Sequence, residues 1–440
     1  MTTVAERSMG IGLKALRQIA ALEVIDRVGL RGPAERALYS VTKNGMGAAA
    51  SAGRTFTIVR GSGKPERARP ASPKGVFDLT PDEDQQMIVE AMKEFAAAEL
   101  RPVALAADTA CAAPAELLAS ASELGLATLG VPEELGGSAA ERSAVTGVLV
   151  AEALAHGDLG LAVATLATSA VPTALGLWGD ADQQATYLPA FTGDEVAVSA
   201  LAILEPRPLF DPFVLETKAR PADGGGYVLD GVKSLVARAA DAELFLVAAE
   251  LQDRGPALFL VPTSGGGVSV TAEPAMGVRA AATATVAFDG VVLPEAALLG
   301  GADQDVYAEC IHRARLAWCA VAVGASQAAL DYLVPYVNER VAFGEPIANR
   351  QAVAFTVSDI AIETAGMRLA TWRAASRADA GKDFFREAAV ARQLCVKHGA
   401  EIGSSAVQLL GGHGYTKEYP VERWYRDLRT AGVYEGALLV

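Results

Sequence analysis

Histidine and cysteine are both scarce, four of each in 440 residues. Cys111, Cys310, Cys319 and Cys395 lack the close pairing that metal sites use, and the histidines form no H-E-x-x-H pattern. No metal centre is expected. Scattered single cysteines read as reduced, buried thiols in a reducing compartment rather than as a disulfide framework. A run of eighteen apolar residues is missing, so no transmembrane segment is expected. Near the start there is no compact apolar core with a cleavage site. Basic charge is also short, with 38 Lys and Arg against 52 Asp and Glu. So acidic a chain is not expected to bind nucleic acid, because phosphates would be repelled.

Apolar residues are plentiful at 51%. A chain of this length can bury a large core in two or three domains or in one multilayer fold. The charge is unevenly spread. Residues 1–75 carry 13 Lys and Arg against 5 Asp and Glu, a balance of +8, which leaves −22 for the remainder. The basic leader reads either as a solvated arm or as a segment that docks on an anionic surface, the acidic body included. Its Arg-rich, acid-poor start faintly suggests a mitochondrial transit segment; a cytoplasmic location is the preferred expectation.

Within the leader, Ile11, Leu13, Leu16, Ile19, Leu22, Ile25 and Val28 give helical periodicity over residues 10–30, and a Gly-, Ala- and Pro-rich linker follows over 44–74. Thr80-Pro81 with Glu83 predicts a helix start with Thr80 as cap. Arg101-Pro102 predicts its end. Further helices are expected to about residue 195. From Val196 the pattern turns to strands. Tyr227–Leu229 and Val232–Val236 flank Asp230-Gly231 and predict a hairpin. Strands are also expected at 244–249, 257–261, 268–271 and 283–288. After Gly300-Gly301 the helical period returns. The expected division is a basic extension (1–75), a helical domain (76–195), a β-domain (196–300) and a second helical domain (301–440).

Several motifs fall in a specific order along this body. Leu79-Thr80-Pro81-Asp82-Glu83 opens it. Leu124-Gly125-Leu126 runs to Val131-Pro132-Glu133-Glu134-Leu135-Gly136-Gly137. Glu205-Pro206 is followed by Gly277-Val278-Arg279 and by Val286 to Gly300. Arg340-Val341-Ala342-Phe343-Gly344-Glu345-Pro346-Ile347 with Gln351 comes next. Gln408 to Gly412 and Tyr434-Glu435-Gly436 close the series. In order and spacing, residues 76–440 resemble the acyl-CoA dehydrogenase family.

The resemblance implies a mainly α fold: an N-terminal helical domain, a middle β-barrel-like domain and a C-terminal helical bundle. It implies FAD as cofactor and α,β-dehydrogenation of an acyl-CoA or related acyl thioester to the trans-2-enoyl product. Glu435 matches the base that takes the α-proton, and its backbone N–H matches a donor to the thioester carbonyl. Tyr434 lies beside it in the substrate site. Arg340, Phe343, Gln351, Gln408, Gly411 and Gly412 match residues that serve the flavin of a neighbouring subunit, which implies a dimer or tetramer, homo- or hetero-oligomeric. A guanidinium suits bidentate contact with a pyrophosphate, and glycines permit close backbone approach. Arg315 matches an Arg near the pantetheine and adenosine end of CoA, with a structural ion pair as the alternative. An electron-transfer flavoprotein-like acceptor is the implied redox partner.

The chain departs from the family where the flavin ring is held. T-E-P-x-A-G-S-D becomes Leu204-Glu205-Pro206-Arg207-Pro208-Leu209-Phe210-Asp211. Leu204 replaces a hydroxyl, and Phe210, expected in the substrate site, replaces a small Ser. K-x-W-I-T-N becomes Lys233-Ser234-Leu235-Val236-Ala237, with Ser234 read at the stacking Trp and Val236 at the flavin-contacting Thr. Lost hydroxyl bonds at about 1 kcal/mol each and a lost stack of about 1 kcal/mol would weaken flavin binding. The alternative expectation is therefore an accessory subunit of a heteromeric dehydrogenase, and a third is an oxidase or monooxygenase on the same fold.

Overall fold

The structure, a computed structural model, describes residues 79–440 apart from 138–141, 194 and 302. The leader helix and linker expected over residues 10–30 and 44–74 lie outside the described residues.

Helix α1 (Glu83–Phe95) begins two residues later than the sequence predicts. Its cap is Asp82, whose carboxylate accepts from the Gln85 N–H at 2.8 Å while the Gln85 side chain accepts from the Asp82 N–H at 3.1 Å. Asp-x-x-Gln makes as good a reciprocal cap as Thr-x-x-Glu, and the structure uses the inner one. Pro102 does not end the helical run. A π-turn at Ala96–Leu100, in which the Arg101 N–H donates to the Ala96 carbonyl, leads into α2 (Arg101–Ala110), with Pro102 in its first turn. A proline there has no N–H to leave unsatisfied, and the widened turn accommodates its ring. The run stops at Cys111, whose φ is 55°.

Five more helices complete the first helical block: α3 (Ala115–Glu123), α4 (Ala144–Gly157), α5 (Leu159–Leu166), α6 (Ala170–Trp178) and α7 (Ala181–Tyr187), with a short turn α8 (Pro189–Thr192). The strands follow: β1 (Ser199–Ala202), β2 (Lys218–Pro221), β3 (Tyr227–Val236), β4 (Leu244–Leu251), β5 (Gly255–Pro262), β6 (Val268–Ala272), β7 (Ala284–Leu293) and β8 (Leu298–Leu299). They form one sheet in the order β6-β7-β3-β2-β4-β5-β8, with β1 parallel to β4. The hairpin expected at Asp230-Gly231 is instead one continuous strand, β3, with a register shift against β7 between Leu229 and Gly231. Gly231 has φ 156° and lies against Thr217, where a Cβ would collide. The dipeptide makes a bulge, not a turn.

Strand alternation separates two cores. Ala200, Ala202, Phe245, Val247 and Val236 pack inside the β-domain. Leu201, Ile203, Leu244 and Leu246 face helices, against Val171, Leu175 and Ile311. This period of two is what lets β1 carry one face to the sheet and the other to the helical layer.

The last block is α9 (Gln304–Glu339), a small β9–β10 ribbon (Val341–Ala342, Glu345–Pro346), α10 (Gln351–Asp379), α11 (Phe385–Leu410) and α12 (Val421–Asp427). A Cβ at Gly324 of α9 would collide with the Glu152 carbonyl of α4, so glycine sets how closely those helices approach. Two stretches, Leu159–Trp178 and Asp305–Glu339, are long and apolar enough to cross a membrane, but 94% and 72% of their apolar windows are buried in the fold. They are core helices. The helix–sheet–helix order expected from the sequence is the order found.

A buried ionic seam joins α2, α5, the loop before β7 and α12. Arg426 forks onto Asp108 with two 2.9 Å bonds, and Arg423 donates to Asp158 at 2.7 Å. Asp427 accepts only a backbone bond there, from the Val278 N–H at 2.7 Å. The seam fixes the start of the segment that ends on Glu435.

Candidate active site

Glu435 is held by the backbone on both sides. Upstream, a turn at Thr430–Gly432 is followed by the Tyr434 N–H donating to the Thr430 carbonyl at 2.9 Å. Downstream, Gly436 pairs with Ala202 of β1, and the Ala437 N–H donates to the Leu201 carbonyl at 3.2 Å. Gly436 has φ 81° and presses on Ile203, where a Cβ would collide. Glycine is required by conformation and by space. Tyr434 is buried and tilted over the Trp318 ring at 4.8 Å, and the Trp318 indole N–H donates to the Gly436 carbonyl at 2.8 Å.

The Glu435 side chain is 7% exposed. Arg315 of α9 embraces it: Nε lies 3.0 Å from each carboxylate oxygen and Nη2 lies 2.8 Å from Oε1. Arg392 of α11 adds 3.0 Å contacts from Nη2 to Oε1 and to the Tyr434 carbonyl. Oε1 therefore has three charged contacts and Oε2 has one. The pairing of Arg315 with Glu435 is an ion pair of the kind given as the alternative to a place near CoA. Burial lowers the pKa of Arg392, with Glu435 opposing that shift. His312, stacked on Phe385 at 4.4 Å, is pushed down to about 4, first by desolvation and then by Arg315. It is neutral at pH 7 and adds no charge to the cluster.

The residues read as the flavin-ring set lie next to this cluster. Leu204 continues β1 past Ala202 and accepts from the Ser234 N–H at 2.9 Å. Glu205 forms a buried ion pair with Lys233 at 2.9 Å and accepts from the Glu216 and Thr217 N–H groups, so it is structural. Phe210 packs on the helical side under Arg207, 5.2 Å from its ring centre. The assignment within β3 needs correcting. Val236 points into the β-domain core, while Leu235 and Ala237 face the helical core that contains Tyr434. Counted from Lys233, K-x-W-I-T puts the aromatic at Leu235 and the hydroxyl at Ala237. The conclusion survives the shift, since neither residue stacks or donates. Ser234 instead donates to Glu273 at 2.8 Å.

A second site lies where α9, the β9–β10 ribbon, α10 and α11 meet. An open cleft of about 790 Å³ is lined by Arg340, Phe343, Arg350, Gln408, Gly411 and Gly412, among others. Gln351 opens α10 beside them. Phe343 is 94% exposed, and Gly411 and Gly412 have nothing within 4 Å of where a Cβ would stand. Exposed guanidinium, bare backbone and an exposed aromatic ring, with the Arg350 guanidinium 5.6 Å from its centre, suit a dinucleotide pyrophosphate and its base. Five of the six residues predicted for this role line one cleft.

Sequence reading missed Arg392 and Trp318. Trp318 lies three residues after Arg315 on α9, a spacing that puts both on one helix face, but Arg392 had no local signal. Among the described residues no group of three His, Cys, Asp or Glu could hold a metal.

Three family models match in sequence: the acyl-CoA dehydrogenase N-terminal domain over residues 82–195, the middle domain over 200–291 and the C-terminal domain over 304–438. The chain belongs to the acyl-CoA dehydrogenase family. Among its relatives, it is 34% identical over 363 residues to the mitochondrial short-chain specific acyl-CoA dehydrogenase of Bos taurus, covering 80% of this chain and 87% of that one. It is 33% identical over 374 residues to an acryloyl-CoA reductase (NADH) of Anaerotignum propionicum, covering 82% and 92%. Butyryl-CoA dehydrogenase from Megasphaera elsdenii superposes with a TM-score of 0.74 at 27% identity, covering 81% of this chain and 96% of that one. The protein is thus an oxidoreductase of the acyl-CoA dehydrogenase type, with FAD as cofactor and acyl-CoA as substrate class.

Proposed function

We propose that the chain dehydrogenates short acyl-CoA thioesters with Glu435 as the base. The observation that carries this reading is the buried Glu435 carboxylate on the turn that bridges back to β1. When bound, FAD supplies the acceptor for the hydride that leaves the β-carbon. Glu435 takes the proton from the α-carbon, so one proton and one hydride leave and a C=C bond forms. Oε2, with one contact against three on Oε1, is the oxygen free to receive the proton. Arg315 and Arg392 balance the carboxylate charge and hold it in place. The Glu435 N–H is the proposed donor to the thioester carbonyl, where charge builds as the α-proton leaves. Tyr434 and Trp318 exclude water from this side.

Arg340, Phe343, Gln351, Gln408, Gly411 and Gly412 are proposed to bind the pyrophosphate half of FAD belonging to a neighbouring subunit. Phe355, Ile362 and Leu369, exposed at seven-residue spacing on α10, support assembly into an oligomer. An electron-transfer flavoprotein-like protein is the proposed acceptor. The short-acyl assignment rests on the relatives' names.

A second reading follows from Leu204, Leu235 and Ala237, none of which offers the ring a hydroxyl or a stack. The chain would then be the flavin-poor subunit of a heteromeric dehydrogenase. Flavin stoichiometry separates the two. One FAD per chain and turnover of butyryl-CoA by the chain alone fit the first. A colourless chain that becomes active only with a partner subunit fits the second.

A further inference from the structure

Glu435 is buried, and so are the large side chains packed on either side of it. Among the described residues, Trp318 is the largest side chain with under 2% exposure. It follows Arg315 by three residues, so the residue that clamps the base and the residue that walls it share a face of α9. Trp318 touches the chain on both sides of Glu435, through its 4.8 Å contact with Tyr434 and its 2.8 Å bond to the Gly436 carbonyl. Leu438 to Val440, with Gly147, Ala151 and Leu166, line a small cavity of about 20 Å³ that also touches Ala317 of α9.

An α-carbon must come within about 3 Å of a Glu435 oxygen for proton transfer. Trp318 touches the residues on both sides of Glu435, and Arg315 one turn before it holds the carboxylate, which puts the indole within reach of the acyl chain on that carbon. We infer that Trp318 is the specificity-determining residue of this site and restricts it to short acyl groups by its bulk. The inference rests on Glu435 being the base, which fixes where the α-carbon stands. Each methylene beyond the limit must displace packed protein atoms, and a methylene is typically worth about 10- to 200-fold in discrimination.

The test compares the FAD-loaded full chain, wild type and variants, in calorimetric titrations with butyryl-, hexanoyl-, octanoyl- and lauroyl-CoA, alongside turnover of each. Wild type should prefer butyryl-CoA. Trp318→Ala should raise the octanoyl-to-butyryl affinity ratio at least about tenfold. Trp318→Phe, which keeps most of the bulk and loses the indole bond, should leave the ratio unchanged. Where the Ala variant does not fold, Trp318→Leu is read in its place and should shift the ratio in the same direction. The inference is overturned if wild type binds octanoyl-CoA as tightly as butyryl-CoA. It is also overturned if the folded smaller variant keeps the wild-type ratio, or if Trp318→Phe shifts it as far as Ala. Butyryl preference and a Trp318→Ala shift without any turnover would sink the reading of Glu435 as base and leave the role of Trp318 standing.

Discussion

Asp427→Asn should stabilise the protein at pH 8 and change little at pH 5. The reason lies in the seam that precedes Glu435. Asp108 has Arg426 and Asp158 has Arg423, but among the described residues Asp427 has no guanidinium within bonding distance and accepts one backbone N–H. Burial, then the nearby Asp158, pushes its pKa up to about 7, with the Val278 N–H and the arginines opposing. The ordinary value is about 3.9. A raised carboxyl binds its proton more tightly in the folded state than in the unfolded one. The folded state therefore holds the extra proton between about pH 4 and 7, and stability falls as pH rises through that window. Three units at about 1.36 kcal/mol each set a ceiling of about 4 kcal/mol on the penalty at pH 8. Asp158 also has a raised pKa and shares the strain, so a gain of about 1–2 kcal/mol is expected from the neutral amide, whose oxygen can still accept from Val278. At an unfolding entropy of about 2.1 cal/mol/K per residue, this is a rise of about 1–2 °C in Tm at pH 8 for a chain of this size. Scanning calorimetry of both proteins at pH 5 and pH 8 reads it. Equal destabilisation at both pH values would show that Asp427 is ionised and engaged by Arg423 or Arg426, and would refute the argument.

Other outcomes follow from the two sites. Arg340→Gln should lower FAD affinity by about tenfold or more, because a charged fork to a pyrophosphate becomes a neutral contact; equilibrium flavin titration with unchanged affinity would remove Arg340 from the cofactor site. Leu204→Thr with Ala237→Thr should raise FAD affinity by about tenfold, two hydroxyl bonds at about 1 kcal/mol each less the cost of burying them; no gain would mean that backbone groups already suffice. Arg315→Gln should lower kcat by about tenfold or more while the chain-length preference is kept, since it loosens Glu435 without touching Trp318; stopped-flow turnover at wild-type rate would make the clamp dispensable.

How much was legible depended on the range over which each feature is determined. The block order was legible because helical and strand periods are written locally. Local punctuation misled wherever tertiary contacts chose between equivalent options. Thr80 and Asp82 are both competent caps. Asp230-Gly231 suits a turn or a bulge, and the Thr217 backbone beside it decided for the bulge. Pro102 reads as a stop unless the preceding turn widens. The cleft proposed to hold the cofactor could be read because Arg340 to Gln351 and Gln408 to Gly412 are contiguous motifs. The clamp on Glu435 could not, because Arg315 and Arg392 lie 120 and 43 residues away on helices that only packing brings together. The side assigned to Val236 was legible in principle, since counting K-x-W-I-T from Lys233 puts the aromatic at Leu235 and the hydroxyl at Ala237.

The central claim is that Glu435 removes the α-proton. The most direct measurement is exchange of that proton from butyryl-CoA into deuterated buffer by the FAD-loaded chain, set beside anaerobic reduction of bound FAD by the same substrate. Glu435→Gln should keep FAD content and butyryl-CoA affinity and lose both rates by roughly 10²–10⁴-fold. Rates within threefold of wild type in a fully loaded Gln variant would contradict the claim.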